Sequence, residues 1–279
     1  MSTLVLAAVL LGALFHATWN AIVKAQTDHS LAVLVVAVIA GFFGIPLMLA
    51  LPAPPAEAWP YIVASSLIHV GYFVLVGFAY RSADLGVAYP LTRGSAPLMT
   101  AVVAFLLIGE KIAWNGWLAI FLLATGIVTL SIDALLRGGL SWRAAVAVAT
   151  NAGVIVTYTL VDGLGARVAG SGLVYGGYMI VGTGLCVLTY ALFTMRQAFF
   201  REAKKIWLPG LLAGALVLPS YGIALWAMTL APIGLVAALR ETSVMFAAFI
   251  GAYFFNEMFG PRRWIAVGLI VAGIILLRL

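Results

Sequence analysis

Apolar runs of about twenty residues, each nearly free of charge, follow one another along the whole chain, and that is the length a helix needs to cross the hydrocarbon core of a bilayer. No water inside lipid satisfies a backbone N–H or C=O, so a spanning segment must be a helix or a strand of a closed barrel. Barrel strands read as short alternating segments, and these runs do not alternate. With 65% hydrophobic and 9% charged residues among 279, the chain lies far outside the composition of a soluble domain. The sequence predicts an all-α integral membrane protein.

Bounding the runs by charge, Pro and Gly predicts ten helices, at 3–23, 31–50, 58–80, 85–107, 113–132, 143–162, 172–194, 207–228, 233–254 and 261–278. The first run has no basic segment before it and reads as a membrane helix rather than a cleaved signal. Residues 137–141 form a natural seam, giving five-helix units at 1–138 and 139–279. The units look alike: Thr18–Val23 can be set against Thr157–Asp162, and GEKIAWNGW at 109–117 against NEMFGPRRW at 256–264. Arg93 stands as far before Glu110 as Arg240 before Glu257, and Trp117 with Trp264, then Gly126 with Gly273, keep that register. An odd number of spans per unit makes the second unit enter from the opposite side, which is an inverted-topology repeat.

Ten of the fifteen Lys and Arg residues fall on one set of loop positions and three on the other, with Arg93 and Arg240 inside spans. The positive-inside rule puts the basic set in the cytoplasm and both termini outside, in the periplasm if the membrane is a bacterial inner membrane. The net charge of +6 is then a matter of topology and not of nucleic-acid binding. Cys186 is the one cysteine and forms no intramolecular disulfide.

A duplicated five-helix unit whose fourth helix closes on Gly109-Glu110-Lys111 and whose ninth closes on Asn256-Glu257 resembles the drug/metabolite transporter superfamily, specifically its EamA-type members, over essentially the whole chain. The resemblance implies transport of small organic metabolites, often amino acids leaving the cell, through a central cavity lined by helices 1, 3, 4, 6, 8 and 9. The His16–Asn20 run with Lys24 is similar to a subgroup associated with phosphonate metabolism. No cofactor follows from the resemblance. Glu110 and Glu257 are expected to cap a turn or tether a neighbouring helix.

Arg93 and Arg240 are the main candidates for a site, because an ionised side chain within a span is costly and marks a pathway or binding site. At about 1.5 Å per residue they lie roughly 12 Å and 10 Å into helices that start on opposite faces, so both approach the midplane. Either they hold an anionic group, or each is locked to a partner. Glu241, the only carboxylate well inside an expected span, has three open roles: binding an ammonium, carrying a coupling proton, or neutralising Arg93 across the cavity. Pro90 and Pro97, with Tyr89 just before them, predict a kink or partial unwinding around Arg93. Polar and aromatic stripes supply further candidates: His16, Trp19 and Asn20 on helix 1; Ser65, His69, Tyr72, Val76 and Tyr80 on helix 3; Asn151 and Tyr158 on helix 6; Ser220, Tyr221 and Trp226 on helix 8. His16 and His69 are candidate proton carriers or structural hydrogen-bonding groups.

These residues predict a secondary transporter, most simply an exporter of amino acids or related zwitterions working by alternating access, as a monomer or homodimer in the bilayer, with a proton gradient as a possible driving force. A transporter of phosphate or phosphonate anions is the alternative within that class. A non-transporting membrane scaffold is the alternative outside it. No metal-ligand or hydrolase motif appears, so the sequence does not predict an enzyme.

Overall fold

The computed structural model describes residues 1–81, 85–130, 142–254 and 260–278, and their side chains except at 76–81, 85–92, 142–145, 147 and 148. Within them the chain is helical, with no strand. Three helices start at side-chain caps of the expected kind. Ser2 Oγ accepts from Val5 N at 3.3 Å to open α1 (Thr3–Lys24), Asp28 Oδ1 from Leu31 N at 3.0 Å to open α2 (His29–Ala50), and Ser171 Oγ from Val174 N at 3.3 Å further along. A short 3-10 turn, Ala56–Ala58, leads into α3 (Trp59–Arg81). Next come α4 (Leu85–Val103), a π turn (Ala104–Ile108) and α5 (Trp114–Thr129). The π turn ends on Gly109 at φ 72°, a left-handed position that glycine adopts without a steric penalty.

Beyond the undescribed 131–141, which contains the expected seam, α6 (Trp142–Val168) precedes α7 (Gly172–Thr194). A short amphipathic α8 (Arg196–Lys205) buries Phe199 and Glu202 and presents its basic residues outward. It was expected as a loop. The segment RQAFFREAKK alternates apolar and charged residues at helical spacing, but it is too short to register as a span. The chain continues through α9 (Trp207–Leu230), α10 (Ile233–Arg240), α11 (Ser243–Phe254) and α12 (Pro261–Arg278).

Among the described residues, six stretches are long and apolar enough to cross a membrane: α1, α2, Ala56–Leu75, α7, α9 and Ile233–Phe254. The surface agrees with that reading. Leu49, Leu107, Phe193 and Tyr253 face outward while Arg93, Asp162, Arg240 and Glu241 are buried. Trp59, Trp114 and Trp207 are exposed at the first residues of α3, α5 and α9, where amphipathic rings sit at a membrane interface.

Two departures from expectation concern the helices that carry the arginines. Helical structure runs unbroken through α4 despite its prolines, so the expected unwinding around Arg93 is not there. The break falls instead in the predicted ninth helix, between α10 and α11. Thr242 N bonds Leu239 O at 3.1 Å and Val244 N bonds Glu241 O at 3.0 Å, a tighter i→i+3 pattern with no Pro or Gly to announce it.

The helices meet in a regular set of pairs. α2 packs on α7, α5 on α12 and α4 on α10; α1 packs on α9 and α3 on α6; α2 touches α9 and α3 touches α7; α4 touches α6 and α1 touches α11. Small residues permit the closest approaches. A Cβ built on Gly41 would lie 2.9 Å from Gly184 Cα, one on Gly126 2.9 Å from Ala266 O, and one on Gly273 3.0 Å from Ala119 O. The last two contacts mirror each other at the offset that separates Arg93 from Arg240. Met1 N donates to Leu277 O at 3.2 Å, so the two ends of the chain meet at one end of the bundle.

Backbone cannot yield as a side chain can, so Gly41→Val should lower the stability of the detergent-solubilised protein by about 1–3 kcal/mol. Gly71→Val, where a Cβ meets nothing within 4 Å, should move the melting temperature far less in the same thermal scan.

Candidate functional site

Around the break at Glu241 the chain arranges its buried charges in three groups. The first joins α4, α1 and the turn after α10. Arg93 Nη1 donates to Glu241 Oε1 at 2.8 Å and Oε2 at 3.1 Å, both side chains being almost completely buried. Arg93 Nη2 donates to His16 Nε2 of α1. A guanidinium has no acceptor to offer, so His16 Nε2 carries a lone pair in this contact. The turn after α10 makes the pairing possible, because it sends Glu241 toward α4 while Arg240, its neighbour in sequence, faces elsewhere. Of the three roles open to Glu241, the geometry realises the neutralisation of Arg93.

A second group sits at the end of the bundle that holds the termini. Glu110, beyond the π turn, accepts from Ile233 N at 3.0 Å and Gly234 N at 3.4 Å and so caps α10, where the partial positive charge of a helix start favours a carboxylate. Arg167, in the last turn of α6, donates to Glu110 Oε1 at 2.6 Å and to Met228 O at 2.8 Å. Glu110 thus tethers a neighbouring helix, as its position predicts. Glu257, its counterpart, lies outside the described residues.

The third group surrounds Arg240. Its guanidinium carbon lies 4.8 Å from the centroid of the Tyr221 ring, a cation–π contact worth roughly 0.5–2 kcal/mol. Arg240 is 7% exposed, and among the described residues its Nε has no hydrogen-bond partner and no carboxylate pairs with it. It lines a cavity of about 70 Å³ together with His16, Trp19, His69, Tyr72, Tyr158, Ser220 and Tyr221. The His69 ring lies 4.5 Å from the Tyr158 ring, centroid to centroid, and its Nδ1 donates to Ser65 O at 2.9 Å. His69 Nε2 is therefore the nitrogen left to meet other groups. A larger cavity of about 560 Å³, lined almost wholly by apolar side chains of α1, α2, α7 and α9, shares Met179, Ile180 and Tyr221 with the smaller one.

Of the residues expected to form the site, Trp19, His69, Tyr72, Tyr158, Tyr221 and Arg240 come together in the aromatic chamber, with His16 at its edge. Arg93 and Glu241 are bound to each other behind it. Asn20 does not line it, and its Nδ2 donates to His16 O at 2.8 Å. The Tyr80 and Tyr89 side chains lie outside the described residues. Asp162 was missed: α6 runs on to Val168, so this carboxylate, expected at a helix end, is 0% exposed inside the helix. Glu241 is therefore not the only carboxylate within a span. Tyr175 Oη donates to Asp162 Oδ1 at 2.8 Å and Tyr221 Oη to Oδ2. The signal available was the apolar run continuing past Asp162 to Arg167.

Breaking a buried ion pair from one side strands the other charge, at about 3–5 kcal/mol. Arg93→Gln should therefore strongly destabilise the protein in thermal unfolding, and the double change Arg93→Gln with Glu241→Gln should recover much of that loss. Arg240→Gln should cost far less.

A model of the EamA-like transporter family matches residues 142–279. Multidrug resistance protein EbrB of Bacillus subtilis (strain 168) is 32% identical over 104 residues, which are 37% of this chain and 86% of EbrB. EbrB of Bacillus atrophaeus is 33% identical over 100 residues, 35% of this chain and 82% of that protein. The nicotine metabolites export pump subunit NepA of Paenarthrobacter nicotinovorans is 31% identical over 72 residues, 26% of this chain and 62% of the subunit. A solved crystal structure of another protein superposes with a TM-score of 0.75 at 18% identity, over 99% of this chain and 95% of the other, and so shares the fold. These relationships, together with helices built for a bilayer and a set of buried charges within them, show that the chain is a multi-pass membrane transporter belonging to the EamA-like transporter family of the drug/metabolite transporter superfamily.

Proposed function

We propose that the protein exports amino acids or closely related zwitterions by alternating access, with Arg240 receiving the substrate carboxylate. The observation that carries this reading is a buried arginine that pairs with no carboxylate among the described residues and faces an aromatic chamber. An ionised group in such a place calls for a counter-charge, and a substrate carboxylate supplies one. Trp19, Tyr72, Tyr158 and Tyr221 offer flat apolar surface to a side chain. The adjoining apolar cavity offers more room for it. A phosphonate dianion would draw on a second cation, and Arg93 is already committed to Glu241; the chamber suits a single negative charge better. Export as the direction rests on the names of the relatives, a multidrug resistance protein and a nicotine metabolites export pump subunit.

The architecture we infer is ten spans in two five-helix units, 1–138 and 139–279, inverted with respect to each other, with α10 and α11 as two parts of the ninth span. Three observations support it. Exchanging the units turns α1·α9 into α6·α3, α2·α9 into α7·α3 and α4·α6 into α11·α1, and leaves α2·α7, α4·α10 and α5·α12 as they are; every one of these pairs is in contact. Gly126 and Gly273 make reciprocal contacts. The meeting of Met1 with Leu277 fits an even number of crossings. With the basic face of α8 in the cytoplasm, both termini lie in the periplasm of a bacterial inner membrane, and the larger cavity, lined by Leu4 and Ala8 at the start of α1, lies at that periplasmic end.

A thermal-stabilisation screen of the purified protein against amino acids, organophosphates, phosphonates and organic cations tests the reading, followed by exchange in liposomes that contain only this protein. Apolar and aromatic amino acids should stabilise the wild type and exchange, and Arg240→Gln should abolish both responses while remaining folded. A response confined to organic cations would overturn the assignment of Arg240. Absence of exchange with any compound would favour a scaffold.

A further inference from the structure

The chamber and the larger cavity adjoin along the same three helices. On α1, Leu4 and Ala8 line the larger cavity, and His16 and Trp19, further in, line the chamber. On α7 the order is Leu173 and Gly176 in the larger cavity, Met179 and Ile180 in both walls, then Thr183 in the chamber alone. On α9, Trp226, Gly222 and Leu218 face the larger cavity, Ser220 and Val217 the chamber, and Tyr221 both. Along α1 and α7, successive turns therefore lead inward from the end of the bundle that holds the termini, where Leu4 and Leu173 are exposed. Between Ala8 and His16, α1 closes on α9, and Ser220 Oγ donates to Gly12 O at 3.0 Å. The wall common to both spaces is Met179 and Ile180 on one side and Tyr221 on the other, and the Tyr221 ring is the one against which Arg240 rests.

The two spaces differ in size and in chemistry. At about 560 Å³ the larger one falls within the range of small-molecule pockets, about 300–1,000 Å³, and its walls offer little but apolar contact. The chamber, at about 70 Å³, supplies the cation and the aromatic faces. A molecule whose anionic head meets Arg240 must place most of its bulk beyond Tyr221, where burial of apolar surface is favourable. An acyl chain from the bilayer would also fill an apolar cavity, but it has no use for a buried guanidinium at its inner end. A carboxylate that carries its own tail satisfies both spaces at once.

Gly222 marks the junction. Glycine inside a helix is less favourable than alanine, and packing explains several of the glycines in this fold: a Cβ on Gly12 would lie 3.1 Å from Ser220 O, and one on Gly41 2.9 Å from Gly184 Cα. At Gly222 an added Cβ would meet, among the described residues, only Leu173 Cδ2 at 3.9 Å, an ordinary contact. Packing does not require glycine there. What its missing side chain does is keep the larger cavity open beside Tyr221.

We propose that the larger cavity is the subsite for the alkyl tail of the substrate, that the protein accepts 2-amino acids with straight side chains longer than those of the common amino acids, and that Gly222 sets how long the tail can be. This rests on the reading of the Arg240 chamber as the site of the substrate carboxylate. The head fixes the molecule at Arg240, and the tail runs past Tyr221 toward Leu173.

The probes are 2-aminobutyrate, norvaline, norleucine and 2-aminooctanoate, which share a head and differ in methylenes, with 1-octanol as a tail that has no charged head. Binding to the purified full chain in lipid nanodiscs is measured by titration calorimetry, with empty nanodiscs correcting for partition into lipid. Each methylene buried should tighten binding about three- to fourfold, so that 2-aminooctanoate binds on the order of a hundredfold more tightly than 2-aminobutyrate. Gly222→Leu should bring that ratio down to a few-fold. Gly222→Ala, whose methyl meets no described atom closer than 3.9 Å, should lower it partway and guards against a folding defect in the larger variant. A flat wild-type series, or a ratio that neither substitution changes, would overturn the inference while leaving carboxylate binding at Arg240 intact. Binding of 1-octanol as tight as that of 2-aminooctanoate would mark a site for a bilayer chain and overturn it as well. If 2-aminooctanoate binding survives Arg240→Gln, or if no member of the series binds the wild type, the amino-acid reading and this inference fall together.

Discussion

The Arg93–Glu241 ion pair is the contact on which the arrangement of the centre depends. Two opposite charges buried among apolar helices attract strongly, and each is very costly without the other. Neither can be relocated: Arg93 sits in α4, Glu241 at the break between α10 and α11, and His16 of α1 meets the other terminal guanidinium nitrogen, Nη2. One pair thereby sets the relation of three elements. It also decides the character of the chamber, because with Arg93 neutralised the positive charge there comes from Arg240.

That division explains why two arginines that look equivalent in sequence differ in the fold. Each stands at the same spacing before a glutamate and a tryptophan, but Glu241 follows Arg240 where Gly94 follows Arg93. Gly94 itself packs tightly on α5, where an added Cβ would lie 2.7 Å from the Val128 side chain. Two arginines in like sequence settings therefore have different partners in the fold.

Much of this was legible in the sequence. Uncharged runs separated by Pro, Gly and basic residues locate most helices to within a few residues, because a bilayer leaves the backbone so few alternatives. Polar stripes at helical spacing identify the chamber wall from His16 and Trp19 to His69 and Tyr72. What resisted reading was tertiary. Asp162 was taken as a helix end because a charge ordinarily bounds a span, whereas here two tyrosines from other helices make its burial tolerable. The break after Arg240 carries no Pro or Gly, while Pro97 lies inside a continuous helix. Local preference ranks these sites in the wrong order, and the partners that reverse the ranking are distant in sequence.

The short helix α10 has a further consequence. Its first turn is capped by Glu110 and the residue after its last turn is bound by Arg93, so both of its ends are fastened to α4 and the chain just beyond it. At eight residues it is a strut about 12 Å long. Beyond the break, α11 lies instead against α1. A displacement of α4 would carry α10 with it and leave α11 behind, so the relative rotation would concentrate at Glu241 and Thr242. Arg240 is the last residue on the moving side of that joint, which makes its distance from Tyr221 a gauge of how far the two parts have turned.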